Sequence, residues 1–159
     1  MVANTERKNQ GSPTSKARLR LWIQLLRNTR SIETEIRGRL RRNFDETLPR
    51  FDVMAALYRN PDGIMMSGLS RILMVSNGNV TGIVDRLVKD KLAVRSQRDG
   101  DRRTWIIYLT AAGIDHFEKM ANVHEQWIDE LLQNIDPEDV DTLNIQLTGN
   151  LKNRQDNHE

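Results

Sequence analysis

The chain of 159 residues has no cysteine, only four prolines and few aromatic residues. Without cysteine it can form no disulfide bond and cannot sense oxidants through a thiol. It also lacks any apolar run of about 18 residues, the length that predicts a transmembrane helix. The first residues lack the apolar segment of a secretory signal. These absences predict a cytoplasmic protein. The length of 159 residues predicts one domain, or one domain with extended helices.

Charge is distributed unevenly along the chain, although the net charge is only +2. Residues 1–50 carry a net charge of +7, residues 51–110 carry +3 and residues 111–159 carry −8. A basic surface attracts phosphate groups in a salt-dependent manner. The basic part of the chain therefore favours a nucleic acid as the partner.

Residues 65–89 predict two short helices joined by a tight turn. Leu69, Ile72 and Leu73 have the spacing of one helix face. Ser76 is a suitable N-cap for the second helix, which has an apolar stripe along one side. The stripe consists of Val80, Ile83, Val84, Leu87 and Val88.

The opposite face of the second helix is polar, and it carries Asn77, Asn79, Thr81, Asp85 and Arg86. Amide, hydroxyl and guanidinium groups early in a helix are the groups that contact base edges, and first-turn N–H groups suit a phosphate. Gly78 and Gly82 each cost a helix about 1 kcal/mol relative to Ala. They favour a close approach of the helix backbone to DNA or to the preceding helix. The alternative is an ordinary solvated face.

A basic β-hairpin is predicted directly after this helix. Leu92–Ser96 and Thr104–Leu109 have the composition of strands, and Asp99-Gly100 between them is a strong turn signal. The connecting segment, residues 97–103, carries three arginines. Such a wing can insert arginine into the minor groove. Alternatively, the charged tip only serves solubility.

The first part of the chain predicts an arm followed by one long helix. Residues 1–15 are polar, and their basic residues either contact DNA or form an inert tail. Residues 16–44 have helical apolar spacing without proline, which corresponds to a length of about 40 Å. Arginines crowd the second half of this helix. They either face solvent and acids of the same helix, or bind an anionic effector.

The remaining segments predict three further helices and a short strand. Leu48-Pro49 begins a helix that ends before the turn Asn60-Pro61-Asp62-Gly63, and Ile64–Met66 can add a third strand to the wing. Thr110 caps a helix that extends to about Ile135, and Asp136-Pro137 begins the last one. Their apolar stripes exceed what one small subunit can bury. The sequence therefore predicts an intertwined, symmetric homodimer through its N- and C-terminal helices.

No motif for catalysis or metal binding is apparent. The histidines are His116, His124 and His158, and none lies in a cluster with ligand spacing. There is no phosphate-binding glycine loop and no nucleophile elbow. We therefore predict no enzyme, no metal and no cofactor. His124 is either a core histidine or lines a pocket.

Several stretches together resemble one family. They are Leu48–Leu57, Met66–Ser70, Val75–Leu87, the triplet Asp101-Arg102-Arg103 and Leu109–Gly113. In these segments the chain resembles the MarR (multiple antibiotic resistance regulator) family of winged helix-turn-helix transcription factors. The resemblance extends over about residues 16–151. It implies a mostly α-helical fold with a small β-wing, with residues 48–109 as the DNA-binding region and residues 16–47 and 110–153 as the dimerisation region.

The resemblance also implies DNA-contacting residues. A dimer places two recognition helices about 34 Å apart, which matches a palindromic site in double-stranded DNA. In this hypothesis Asp101 braces the wing, Arg102 and Arg103 enter the minor groove, and Ser67 contacts a phosphate. The residues that meet the major groove are Ser76, Asn77, Asn79, Val80, Thr81 and Arg86.

An effector is implied as well: a small aromatic molecule that releases a repressor from its operator. The chain is most similar to members that control the catabolism of plant-derived aromatic acids, some of which respond to hydroxycinnamoyl-CoA thioesters such as p-coumaroyl-CoA or feruloyl-CoA. The effector-binding candidates are Trp22, Arg37, Arg41, Phe51, Met54 and His124. The alternative is a winged-helix protein-interaction module that binds no DNA, for which Arg103→Ala would leave function intact.

Overall fold

The computed structural model describes residues 12–98 and 101–155, with only the backbone described at Arg98, residues 101–103 and residues 151–155. The chain divides into two compact units between Asp45 and Glu46. Among the described residues, the first unit is one helix and the second contains five helices and a three-stranded sheet. The mostly α-helical winged-helix class predicted from the sequence is confirmed.

Helix α1 extends over Pro13–Phe44 and forms the first unit. It begins at Pro13 rather than at the predicted Lys16, because the Ser12 hydroxyl accepts the Ser15 N–H at 3.1 Å and Pro13 occupies the first helical position. Three residues of the predicted arm are therefore helical, and residues 1–11 lie outside the described part of the chain. Leu19 and Trp22 are 58% and 56% exposed, so the first half of α1 presents apolar surface.

The second unit contains the predicted helix-turn-helix. Helix α2 is Leu48–Tyr58, α3 is Met66–Leu73 and α4 is Asn77–Lys89. The Ser76 hydroxyl accepts the Asn79 N–H at 3.4 Å and caps α4 as predicted. Helix α3 ends at Leu73, and its C-cap residue Met74 has a left-handed φ of 52°. Ile72, predicted to share the buried face of Leu69, is instead 51% exposed, because α3 turns only its Leu69 side into the core.

The wing is a three-stranded antiparallel sheet in the order β1-β3-β2. Its strands are β1 (Ile64–Met65), β2 (Ala93–Arg98) and β3 (Asp101–Leu109). Ile64 of β1 pairs with Ile107 of β3, which confirms the predicted third strand. On the other side of β3, Ala93 of β2 pairs with Leu109. Strands β2 and β3 continue into the segment predicted as a loop, with a register shift between Gln97 and Arg98. The predicted Asp99-Gly100 turn lies outside the described residues.

The hydrophobic core of the second unit joins α2, α3, α4, β3 and α5, where helix α5 is Ala111–Leu132. Its members are at most 2% exposed, and burial of each large apolar side chain contributes roughly 1.5–3 kcal/mol. They are Val53, Met54, Leu57, Leu69, Val80, Val84, Leu87, Ile107 and Met120. The apolar side of α4 is therefore fixed, and its polar side must face outward.

The last two helices extend the second unit. The Thr110 hydroxyl accepts the Gly113 N–H at 3.0 Å and caps α5 as predicted, but α5 ends at Leu132 rather than near Ile135. Helix α6 is Pro137–Gln155. Four of its apolar residues are between 37% and 73% exposed: Val140, Leu143, Ile145 and Leu147. In the described part of the chain, no helix has the length and hydropathy needed to cross a membrane.

Candidate nucleic-acid interface

The outward face of α4 carries the polar residues predicted from the sequence. Asn77, Asn79, Thr81, Asp85 and Arg86 are all exposed, whereas Val80, Val84 and Leu87 are buried on the other side. This alternation follows the 3.6-residue helical repeat. The structure thus brings the predicted polar residues onto one accessible surface.

Hydrogen bonds within this surface limit what each side chain offers. The Thr81 hydroxyl donates to the Asn77 carbonyl at 2.9 Å, so Thr81 presents its methyl group and hydroxyl lone pairs. The Asn77 side chain is hydrogen-bonded to Ser70 of α3. Ser76 accepts from the Asn79 N–H, which leaves its own O–H free to donate. Among the described residues, Arg86 and the Asn79 amide have no side-chain partner.

Two predicted DNA contacts have different outcomes. Val80 has no exposed surface, so its assignment to the major groove was wrong: the side chain is needed in the core between α4 and its neighbours. Ser67 is exposed in the first turn of α3, where main-chain N–H groups can bind a phosphate. Its predicted phosphate contact stays a prediction.

The tip of the wing can be placed only by its backbone. Strand β3 begins at Asp101, so Asp101, Arg102 and Arg103 lie at its start. Their side chains lie outside the described residues. The proposed brace by Asp101 and the minor-groove contacts of Arg102 and Arg103 therefore stay predictions.

An ion pair between α4 and β2 was missed by the sequence analysis. The Arg95 guanidinium hydrogen-bonds the Asp85 carboxylate, which joins the polar face of α4 to the base of the wing. Because Asp85 is 54% exposed, the pair contributes at most about 1 kcal/mol to stability. Its effect is to neutralise the one acidic group on a surface that would face phosphates.

The two glycines of α4 have open space around them. A Cβ atom added at Gly78 or Gly82 would meet no atom within 4 Å. Contact with the preceding helix, one of the two predicted reasons for glycine, is therefore excluded. The other predicted reason, a close approach of DNA to the helix backbone, stays a prediction.

A charged network behind α4 was also missed. Arg50 of α2 donates to Glu46 at 2.7 and 3.0 Å and to Asp90, the C-cap residue of α4, at 2.7 Å. His116 of α5 lies 3.2 Å from Glu46. Burial alone would lower the pKa of Arg50, but the hydrogen bonds of Glu46 and Asp90 outweigh it and raise the pKa. No local sequence pattern predicts contacts over 40 and 70 positions.

The effector candidates of the first unit lie on α1. Trp22 is 56% exposed. Arg37 pairs with Glu33 and Arg41 pairs with Asp45, both at 3.4 Å and one helical turn apart. Of the two alternatives predicted for these arginines, the structure shows pairing with nearby acids. Such exposed pairs contribute only about 0.3–0.5 kcal/mol, so an anionic ligand could displace the acids.

The effector candidates of the second unit belong to an aromatic cluster. The rings of Phe51 and His124 stack at 4.7 Å, and Phe117 lies 5.4 Å from Phe51. Met54 is fully buried in the core next to this cluster, and its predicted contact with an effector stays a prediction. The cluster explains His124 as a packed histidine. Over the described residues, no group of three potential ligands could hold a metal ion.

Burial lowers the pKa of His124 below its usual value of 6.5. The unfolded chain therefore binds a proton at His124 more readily than the folded chain does. We expect the free energy of unfolding to fall as the pH decreases from about 6.5 through the lowered pKa. Urea denaturation measures the free energy of unfolding at about pH 7.5 and pH 5. Its decrease between the two should be smaller for His124→Phe, which keeps the ring packing, than for the wild type. An equal loss in both proteins would contradict this assignment.

A helix-turn-helix with an exposed polar second helix and an adjoining β-wing defines the class of winged-helix regulators. The comparisons agree with this class. The sequence model of the MarR family matches residues 45–104. The chain is 33% identical, over 72% of its own length and 73% of the relative's, to the uncharacterised HTH-type transcriptional regulator YkoM of Bacillus subtilis.

Solved structures resemble the chain over most of its length. A MarR family transcriptional regulator from Silicibacter pomeroyi is 33% identical with a TM-score of 0.75, over 91% of this chain and 99% of that one. A mutant MarR of E. coli, complexed with operator DNA, is 24% identical with a TM-score of 0.74, over 82% and 93%. The chain belongs to the MarR family of transcriptional regulators.

Proposed function

We propose that this protein is a cytoplasmic, dimeric repressor that binds a palindromic operator with α4 in the major groove. The observation that carries the proposal is the exposed polar face of α4, which lies opposite the buried side chains of Val80, Val84 and Leu87. Asn79 and Arg86 are the groups on it that are free to contact bases or phosphates. A relative of the same fold is known in complex with operator DNA.

Dimer formation is supported by apolar surface outside the winged part. Leu19, Leu21 and Trp22 of α1 are more than half exposed, and Ile145 of α6 is 73% exposed. Large exposed apolar patches favour burial against another subunit. A two-fold symmetric dimer would present two copies of α4 to successive major grooves.

Fluorescence anisotropy with the DNA upstream of the protein's own gene tests the function. We expect tight, specific binding by the wild-type protein, and binding about five-fold or more weaker for Arg86→Ala, with a salt slope reduced by about 1 if Arg86 contacts a phosphate. Arg59→Ala removes the same charge at the C-terminal end of α2 and serves as the control. An absence of specific binding by the wild type would instead favour the protein-interaction module.

Substitution of the α4 glycines should separate stability from DNA binding. We expect Gly82→Ala to raise the free energy of unfolding by up to about 1 kcal/mol, because alanine favours the helix and the methyl group has free space. The same methyl group should weaken operator binding, because it lies where DNA must approach. Gly82→Ala should keep the wild-type oligomeric state in size-exclusion chromatography, so that a loss of operator affinity reports on the surface of α4. Unchanged operator affinity in Gly82→Ala would contradict the close approach.

We further propose that an aromatic molecule, a hydroxycinnamoyl-CoA thioester of the kind formed in aromatic-acid catabolism, releases the protein from its operator. Two features support this proposal independently: the aromatic cluster around Phe51 and His124, and the weakly paired Arg37 and Arg41 of α1. A ligand that binds one conformation of the dimer more tightly shifts the protein toward it, and DNA affinity changes by linkage.

Isothermal titration distinguishes the ligand classes. We expect heat with p-coumaroyl-CoA or feruloyl-CoA, and weaker binding for Arg37→Ala. Binding of a free phenolic acid without binding of either thioester would reject the CoA ester and keep an aromatic effector. Binding of neither, combined with normal operator binding, would reject the effector and leave the DNA-binding function intact.

A further inference from the structure

One arginine from another helix forms a hydrogen bond with the C-cap residue of α4. Arg50 of α2 uses one amino group for the Asp90 carboxylate at 2.7 Å, while its other two nitrogens bond Glu46 at 2.7 and 3.0 Å. A guanidinium group presents its donors in a rigid, planar fork. One of these hydrogen bonds joins Asp90 to α2, and the two bonds to Glu46 fix the orientation of the guanidinium group that donates it.

Arg50 is poorly placed to contact DNA itself. Its side chain is 13% exposed, and that of Glu46 is 6% exposed. The Nε, Nη1 and Nη2 atoms of Arg50 each donate a hydrogen bond to a carboxylate. An influence of Arg50 on DNA binding is therefore indirect, and its contact with α4 is the hydrogen bond to Asp90.

Helix α5 holds the adjoining residues from the other side. The Thr110 hydroxyl donates to the Lys91 carbonyl at 2.8 Å, and the Thr110 N–H donates to the Leu92 carbonyl at 3.0 Å. Lys91 has a φ of 61°, and the Leu92 N–H returns to the Leu87 carbonyl at 2.9 Å. The end of α4 is thus clamped between α2 and the start of α5.

We propose that Arg50 is a positioning residue that sets the direction of α4 through Asp90. Thirteen residues of α4 extend about 20 Å from this clamp to the first turn. A tilt of about 5° at the clamp would move the first turn by roughly 1.7 Å, whereas productive contacts tolerate about 0.5 Å. The inference rests on the proposed function, because it takes α4 as the helix that contacts bases.

Asp90→Ala tests the inference, because the loss of a negative charge and the loss of the positioning contact should change operator affinity in opposite directions. Loss of a negative charge from a DNA-binding unit should by itself tighten binding slightly. We expect operator binding about five-fold or more weaker, a smaller ratio of specific to non-specific affinity and an unchanged salt slope. Asp62→Ala, which also removes an exposed negative charge, from the turn after α2, should not weaken binding. Wild-type or tighter operator binding by Asp90→Ala would overturn the inference.

A double-mutant cycle separates positioning from general damage to the fold. Arg50→Lys retains the charge but cannot bond Glu46 and Asp90 in the same fork geometry. We expect Arg50→Lys to weaken operator binding, and the addition of Asp90→Ala to weaken it no further. Circular dichroism at the assay temperature must show both variants folded. Additive losses would overturn the inference, whereas wild-type protein that fails to bind DNA would overturn the proposed function itself.

Discussion

We expect Gly113→Ala to lower the free energy of unfolding by about 1–3 kcal/mol, so that the protein unfolds at a lower urea concentration. A Cβ atom at this position would lie 2.0 Å from the Leu92 carbonyl oxygen and 2.9 Å from its carbon. Both atoms belong to the backbone, so no side-chain rotation can relieve the overlap. The start of α5 must move away, which strains the hydrogen bonds of Thr110 to Lys91 and Leu92.

Urea denaturation at one fixed protein concentration measures this effect, since a dimer's stability depends on concentration. Gly82→Ala is the control, because an added Cβ on α4 meets nothing within 4 Å. A wild-type midpoint for Gly113→Ala would mean that α5 moves at no cost. The contact between α5 and the end of α4 would then not be tight.

Arg50→Met should cost still more, about 3–5 kcal/mol, because it leaves a buried carboxylate without its cation. Glu46 is 5% exposed, and the Arg50 fork provides two of its hydrogen bonds. His116 lies 3.2 Å from Glu46 and offers one contact, which cannot replace the two hydrogen bonds of the Arg50 fork. We therefore expect incomplete folding or a strongly lowered thermal midpoint for this variant near neutral pH.

The double variant Glu46→Leu/Arg50→Met is the matched control. Removing both partners of a buried ion pair is often nearly neutral, since neither charge is then left desolvated. We expect the double variant to recover most of the stability that Arg50→Met loses, as measured by thermal denaturation. If the double variant is as unstable as the single one, the loss comes from the packing of the Arg50 side chain rather than from the stranded charge.

Local patterns predicted most of the elements. Ser76 and Thr110 were expected as helix N-caps and are confirmed, because a cap needs only a side-chain oxygen within hydrogen-bonding reach of nearby N–H groups. Ile64 was expected to join the wing and pairs with Ile107. The polar face of α4 followed from the helical repeat. Each of these features depends on residues close in sequence or on a regular period.

Burial was harder to predict for residues at the edge of an apolar stripe. Val80 belongs to both the apolar stripe and the first turns of α4, and only the packing against neighbouring helices shows that it is buried. Ile72 has the spacing of a core residue, yet the orientation of α3 leaves it half exposed. The spacing of apolar residues defines a face, but not which edge of that face the neighbouring elements cover.

The sequence by itself determined the winged helix-turn-helix, the caps of its helices and the polar composition of the surface of α4. Only the tertiary structure decided which of those polar groups are free, since Asp85 is paired with Arg95 while Arg86 has no partner among the described residues. It also decided that Arg50 joins Glu46 to Asp90. Ion pairs between distant segments depend on where the packed core places each backbone, and no local periodicity encodes that distance.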